Sequence, residues 1–396
     1  MQLLDRRKAL TIMPFFRLGF RPLFLLGSVL AMLAIPLWMM ALSGWFANWQ
    51  PTGGWLAWHR HELLFGFASA IIAGFLLTAV QTWSGVPGLS GKPLMLLTAL
   101  WLLARVAWLL NLPIGIVALL DSLFLPLVAL QMARSLWPVR QVRNYPLVLV
   151  LLLLAVANLV TLYGVATAND NLQRQATVGG LWFVAAMMSM IGGRVIPFFT
   201  QRGLLRKEGV TAWPVVDWAL LIGTIVVSLT LMQGWAMLPR QLIGLLFTAL
   251  AVGHLIRSVR WYDPGIWQVP LLWSLHLAYA WIGIACVVMA LWHFSVFTQM
   301  SIALHALTVG AMGALILSMI ARVTLGHTGR ALTPPKVMPF AFALINLAVL
   351  ARVVLVDWAY MSGLWLAAIC WALSFALYVI CYAPMLWQAR VDGHPG

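Results

Sequence analysis

The chain has 396 residues, of which 63% are hydrophobic and 8% are charged, and its formal net charge is +15. A water-soluble domain carries about 25% charged residues, so this composition excludes an ordinary soluble protein. Apolar runs of about 20 residues, each long enough to cross a bilayer, recur along the chain. The positive charge lies in short loops on one side. We therefore explain it by the orientation of the protein in the membrane and not by nucleic-acid binding. No nucleic-acid partner is therefore expected.

In chain order, the apolar runs predict twelve membrane spans. They cover residues 22–45, 56–82, 93–112, 114–136, 145–167, 175–198, 213–234, 239–259, 267–292, 298–324, 337–357 and 362–386. The predicted fold class is an all-α membrane protein with about twelve transmembrane helices in a single transmembrane domain, residues 1–396. The three cysteines form no CxxC motif, so neither a disulfide framework nor a thiolate zinc site is indicated.

The loop charges predict the orientation of these spans. One set of loops holds the basic residues Lys92, Arg134, Arg140, Arg143, Arg202, Arg206, Lys207, Arg257, Arg260, Arg330 and Lys336. Basic loops stay in the cytoplasm, so twelve spans give two cytoplasmic termini in a bacterial inner (cytoplasmic) membrane. The charged start, from Asp5 to Lys8, is expected to be a cytoplasmic leader and not a signal peptide.

The sequence also repeats. His61-x4-Gly66 in the second span matches His305-x4-Gly310 in the tenth, and a weaker copy of the surrounding pattern occurs in the sixth. We interpret the chain as three four-helix units in a pseudo-threefold arrangement. Chance similarity among apolar helices is the alternative, and the shared His, Gly and Arg positions argue against it.

An ionisable side chain at membrane depth is costly and is a functional candidate by default. His61 and His305 lie near the outer starts of their spans, and Arg105 and Arg352 lie in the same predicted layer. Two imidazoles that face each other across a helix bundle can bind a haem iron, and two arginines can bind its propionates. In the alternative, each histidine bonds a backbone carbonyl and each arginine extends toward the membrane surface.

Further candidates lie around this layer and below it. His59 is two residues before His61, so on a regular helix the two cannot face one centre. Glu62 is either a carboxylate favoured at a helix N-terminus or a partner and proton carrier beside His61. An inner layer is predicted from His254, His276, Arg194, Arg322 and His327. His254 and His276 can approach one metal, although two histidines leave its ligand set incomplete.

At these residues the sequence resembles the NnrS family. The matching stretches are Phe16–Pro22, Trp58–Phe67, Leu272–Tyr279, His305–Leu307 and Leu325–Arg330. The resemblance implies a twelve-span protein that contains haem b and copper and is linked to nitric oxide, denitrification and nitrosative stress. For copper, the resemblance together with the buried imidazoles favours His276, with His254 or His59 as the next ligand.

The haem–copper oxidases offer an architectural analogy, since they also have twelve helices and haem-ligating histidines on the second and tenth. Their motif of adjacent histidine pairs is not visible here. The expected function is the binding of nitric oxide in the membrane, with its reduction by an oxidoreductase reaction, using an unknown electron donor, left open. The alternatives are a membrane transporter and a non-catalytic nitric oxide sensor or sequestering protein.

Overall fold

The computed structural model describes residues 10–394, and twelve helices in that range are long and apolar enough to cross a membrane. They are α1 (Phe20–Leu42), α2 (Trp55–Ser84), α3 (Lys92–Leu109), α4 (Ile114–Leu136), α5 (Val142–Ala166), α6 (Asp170–Gly203), α7 (Pro214–Met232), α8 (Gln241–Trp261), α9 (Pro270–His293), α10 (Met300–His327), α11 (Met338–Asp357) and α12 (Tyr360–Trp387). No strand occurs within residues 10–394. The prediction of an all-helical, multi-pass membrane protein is confirmed, whereas the predicted leader lies outside the described residues.

The helix boundaries follow the predicted spans to within a few residues. The largest difference is in α6, which begins at Asp170 and ends at Gly203, beyond the predicted span 175–198 at both ends. Hydropathy detects only the apolar stretch of a helix, whereas backbone hydrogen bonding continues into polar turns such as the one around Arg174. Helices therefore extend past the membrane-embedded part that the sequence marks.

The chain divides into two compact units. The first comprises Met1–Thr177, Ile320–Thr333 and Phe375–Gly396. In this unit α1 packs on α2, α2 packs on α4, and α4 packs on α5. The second comprises Val178–Met319 and Pro334–Ser374. Here α8 packs on α9, and α10 packs on both α9 and α11.

The second and tenth helices share an unusual backbone. In α2, a regular helix ends at His61 and a π-helical segment follows from Glu62 to Ala68. In α10, a regular helix ends at His305 and a π-helical segment follows from Ala306 to Gly313. The sixth helix, which has no histidine at the corresponding position, is α-helical from end to end. The repeat therefore extends from the sequence to the backbone.

The repeated glycine of these two helices admits a large side chain in each copy. A Cβ on Gly66 would lie 2.7 Å from Nη1 of Arg105, and a Cβ on Gly310 would lie 2.7 Å from Cγ of Trp281. At such distances a neighbouring atom has to shift before a Cβ can be accommodated. The same position thus lets a guanidinium approach the backbone of α2 and an indole approach that of α10.

Candidate functional site

Buried polar side chains from four helices of the first unit form one connected group, which we call the α2 polar cluster. Its members are His61 and Glu62 of α2, Arg105 of α3, Asp121 of α4 and Asn158 of α5. Each exposes 5% of its surface or less. Charged groups in such a place must be paired and hydrogen-bonded, because unpaired burial is costly.

Asp121 is the acceptor to which most of the cluster donates. Its Oδ2 accepts from Nη2 of Arg105 and, at 3.1 Å, from the indole N–H of Trp108. Its Oδ1 accepts from the amide of Asn158 at 2.9 Å. Arg105 has a second carboxylate beside it, with its Nε 3.3 Å from Oε2 of Glu62. One guanidinium is thus shared by two carboxylates.

His61 lies between Asn158 and Glu62. Its Nε2 is 2.9 Å from Oδ1 of Asn158, and its Nδ1 is 3.1 Å from Oε1 of Glu62. The orientation of Asn158 is fixed because its amide nitrogen donates to Asp121, so Nε2 of His61 must donate to the Asn158 oxygen. The contact between Nδ1 of His61 and Oε1 of Glu62 then requires one proton, which lies on either the imidazole or the carboxyl group.

That proton makes the α2 polar cluster electrically neutral. Arg105 carries one positive charge, the proton shared by His61 and Glu62 adds a second, and the two carboxyl groups carry two negative charges. A neutral total is the state that a low-dielectric interior favours. The cluster can therefore hold one proton at the His61–Glu62 contact without leaving net charge inside the membrane.

His305, in the second unit, has a simpler environment. Its Nδ1 is 2.7 Å from the backbone carbonyl of Ser301, and the hydroxyl of Ser301 is 3.2 Å from the same nitrogen. Because a carbonyl only accepts, Nδ1 carries the proton and the lone pair lies on Nε2. Nη2 of Arg352 donates to the same hydroxyl at 3.1 Å. Ser301 therefore couples the predicted haem ligand to its predicted arginine.

These contacts can be compared with what a haem requires. Metal-ligating histidines usually donate one ring N–H to a carbonyl or carboxylate, and Nδ1 of His305 donates to the Ser301 carbonyl in this way. His61 has a carboxylate at Nδ1, but its Nε2 bonds Asn158, so iron there would have to replace that bond. Nη1 of Arg105 has no acceptor among residues 10–394. The residues present therefore fit a haem, most simply at His305.

The predicted inner layer separates into individual contacts. Nδ1 of His254 is 2.9 Å from the hydroxyl of Tyr279, and Nε2 of His276 is 2.9 Å from that of Thr200. Nη1 of Arg257 also donates to Tyr279 at 2.9 Å, and its Nη2 donates to Asp217. Both histidines thus have hydroxyl partners within the protein.

Within residues 10–394, one group of three His, Cys, Asp or Glu residues has its ligand atoms all within 4.8 Å of one another, and it is His61, Glu62 and Asp121. Neither His254 nor His276 belongs to such a group. The described residues thus offer no third ligand of these types beside them, and the copper assignment stays a prediction.

The other predicted residues have diverse surroundings. The ring of His59 stacks on Trp38 of α1 at 4.7 Å, so His59 and His61 face different helices, as their spacing predicts. The ring of His327 lies 5.5 Å from that of Phe20. Arg194 is half-buried in α6, whereas Arg322 is buried in α10.

Two members of the α2 polar cluster, Asp121 and Asn158, are not among the candidate residues predicted from the sequence. A signal for Asp121 was present, because it is an acidic residue inside an apolar span, and such residues are functional candidates by default. Its place is marked by a break in α4 at Leu123, between the helical segments Ile114–Ser122 and Phe124–Leu136. Asn158 is uncharged and gave a weaker signal.

The family comparison covers all of these residues. The sequence profile of the NnrS family, described as NnrS protein, matches residues 14–390. The chain belongs to the NnrS family. Membership in the NnrS family fits a membrane protein related to nitric oxide. No curated protein matches the sequence.

Two of the NnrS motifs meet at one end of α1. The stretch Phe16–Pro22 contributes Arg21, whose Nη1 donates to the backbone carbonyl of Gln388 at 2.6 Å. The stretch Leu325–Arg330 contributes Arg330, whose Nη2 donates to the side chain of the same Gln388 at 3.4 Å. Both motifs lie in the first unit.

Proposed function

We propose that this NnrS protein binds haem b through His305 and His61 and takes nitric oxide as the ligand of that haem. One observation carries the proposal: each of these histidines is followed at once by a π-helical segment, and the matching helix without a histidine has none. Irregular π turns concentrate at functional sites because they cost stability and reorient side chains. Membership in the NnrS family supports the link to nitric oxide.

The chain's own residues have distinct roles in this proposal. Ser301 holds the proton of His305 at Nδ1, so that Nε2 can act as the ligand atom. Glu62 orients His61 in the same way, and Arg105 and Asp121 hold Glu62 in place. Arg352, which shares the hydroxyl of Ser301, is the arginine best placed to bind a propionate beside His305. A bound haem would supply an iron that takes small diatomic ligands.

Copper and the membrane orientation belong to the proposal but rest on the sequence. Copper would use His276, with His254 or His59 as the next ligand. Elemental analysis of a His276→Ala variant tests this, and full retention of copper contradicts it.

The termini are proposed to be in the cytoplasm of a bacterial inner membrane. A reporter that is active only in the periplasm, fused after Gly396, should then be silent, and strong activity would contradict the orientation.

Absorption spectroscopy of detergent-purified protein, with and without nitric oxide, tests the proposed haem. The wild type should show a haem spectrum that changes when nitric oxide is added. His305→Ala and His61→Ala should each abolish the low-spin spectrum or convert it to high-spin, because each opens a coordination position. His394→Ala, at an exposed position, is the control. If both alanine variants keep the wild-type spectrum, these histidines do not bind the haem.

The same experiment separates the alternatives. A transporter is favoured by one observation, the four ionisable side chains of the α2 polar cluster inside membrane-spanning helices. A purified protein without haem absorption would support that reading. If haem is present, turnover of nitric oxide with an added electron donor would indicate an enzyme. Stoichiometric binding without turnover would indicate a sensor or a sequestering protein.

A further inference from the structure

Arg21 is a fully buried arginine whose hydrogen-bonding capacity is only partly used. It is the second residue of α1 and exposes 0% of its surface. Its Nη1 donates to the carbonyls of Leu386 and Gln388, at 2.9 and 2.6 Å, and so caps the end of α12. Its Nε and Nη2 are buried and have no acceptor among residues 10–394. A buried N–H group without a hydrogen-bond acceptor costs free energy, so we expect an acceptor for these two nitrogens.

The two unused nitrogens form a specific shape. Nε–H and Nη2–H lie on one edge of the planar guanidinium and point the same way, which matches two oxygens of a carboxylate or phosphate. Elsewhere in this chain the same edge is occupied. Arg206 uses Nε and Nη2 for the two oxygens of Asp263, at 2.8 and 2.9 Å. In Arg21 neither nitrogen of this edge has a hydrogen-bond partner among the described residues.

The surroundings of Arg21 are strongly positive. The charged groups among the described residues that act on it are Arg17, Arg390 and Arg330. Arg330 adds another buried nitrogen, Nη1, with no acceptor in the described part of the chain. The nearby carboxylate of Asp392 is taken by Nε and Nη2 of Arg390, at 2.9 and 2.5 Å.

Arg21 and Arg330 are also linked directly. Nη1 of Arg21 donates to the carbonyl of Gln388, and Nη2 of Arg330 donates to its side-chain oxygen. Gln388 therefore contacts both guanidiniums, one through its backbone carbonyl and the other through its side chain. Three buried N–H groups and an excess of positive charge are the chemistry of a tetrahedral oxyanion site, since a phosphate can accept from both guanidiniums at once.

We propose that Arg21 and Arg330 bind a phosphate-class oxyanion at the N-terminal end of α1, with Gln388 holding the two side chains together. The oxyanion is either free phosphate or the phosphate of an anionic lipid headgroup, which the two guanidiniums would recognise in the same way. None of these three residues belongs to the proposed haem site.

Thermal unfolding of the full-length protein tests this site in two arms. In neutral detergent, inorganic phosphate should raise the unfolding temperature saturably, whereas chloride at equal ionic strength should not. In nanodiscs, anionic phosphatidylglycerol should stabilise the protein relative to phosphatidylcholine. A response in the first arm identifies free phosphate as a ligand. A response in the second arm alone identifies the lipid headgroup.

Arg330→Gln is the main variant, because Arg21 also caps α12 and its replacement can fail to fold. Loss of one charge-assisted donor should weaken the apparent affinity by about tenfold or more. Arg330→Lys, which keeps the charge but not the planar fork, should restore part of it. Arg134→Gln removes the same charge at an exposed position and should respond like the wild type.

Two results would overturn the proposal. One is an equal response of the wild type and Arg330→Gln in both arms, including no response in either. The other concerns Asp5, a carboxylate outside the described residues. A phosphate response that emerges only in Asp5→Asn would mean that the chain's own carboxylate occupies the fork of Arg21. Retention of the response in both backgrounds supports an external anion.

Discussion

Replacing Asp121 with asparagine should destabilise the protein strongly. Asparagine keeps the size of the side chain but removes the charge that balances Arg105. It also has one oxygen in place of the two oxygens of Asp121 that accept from Arg105, Trp108 and Asn158. The α2 polar cluster would be left with one uncompensated positive charge. Removing one partner of a buried ion pair costs about 3–5 kcal/mol.

The structure also predicts what should relieve this loss. In the double variant Asp121→Leu with Arg105→Met, one charge of each sign is removed, and His61 and Glu62 keep their shared proton, so the cluster stays neutral. Apolar replacement of a whole buried pair is often close to neutral. The double variant should therefore lose less stability than either of its single variants.

The free energy of unfolding can be measured by SDS titration of the protein in mixed micelles, followed by circular dichroism. Glu208→Gln removes a negative charge from an exposed loop position and should change the free energy of unfolding by no more than about 0.5 kcal/mol. A loss below about 1 kcal/mol for Asp121→Asn would refute the reasoning. So would a double variant whose loss equals the sum of its single variants.

Two further predictions concern stability. Gly66→Ala should lower the free energy of unfolding by about 1–3 kcal/mol because its Cβ would lie 2.7 Å from Nη1 of Arg105. Gly115→Ala, whose Cβ meets nothing within 4 Å, is the control and should not lower it. Similar unfolding curves for the two variants would contradict this prediction. The hydrogen bonds from Arg206, in loops outside the membrane spans, lower the pKa of Asp263 below its unfolded value of about 3.9. This pair therefore stabilises the protein above about pH 4, and its contribution is lost as the pH falls through the folded pKa. The difference in unfolding temperature between wild type and Asp263→Asn should shrink on acidification, and a constant difference from about pH 6 to about pH 3 would count against it.

The twelve helices could be predicted from the sequence because crossing a bilayer is decided locally, by the length and hydropathy of each run. The repeat of His61 and His305 in the second and tenth helices could also be read from the sequence. The π-helical segments that follow them could not be foreseen. Their hydrogen bonds depend on how each helix packs, and the residues Glu62–Ala68 read as an ordinary apolar helix.

The interaction partners of buried polar residues were harder to predict than the depths of those residues in the membrane. Arg105 was placed in the correct layer with His61, yet the partners that the structure gives it, Asp121 and Glu62, come from two different helices. Which faces of α3 and α4 meet is set by packing across the whole unit, and hydropathy carries no information about it. The approach of Arg21 to Arg330 could not be read from the sequence for the same reason.

The α2 polar cluster constrains the order in which the protein can be made. Its members enter the membrane one helix at a time, with Glu62 in α2 first, then Arg105 in α3, Asp121 in α4 and Asn158 in α5. On insertion scales, a charged residue at the centre of a helix costs about 2.5–3.5 kcal/mol when it faces lipid alone. The proton that His61 and Glu62 share leaves α2 neutral, so the first unmatched charge is that of Arg105 in α3. That positive charge remains unbalanced until α4 brings Asp121. Chains truncated after α3 should accordingly be degraded as unassembled membrane segments, and α2 to α4 is the shortest stretch that can leave the insertion machinery with its charges matched.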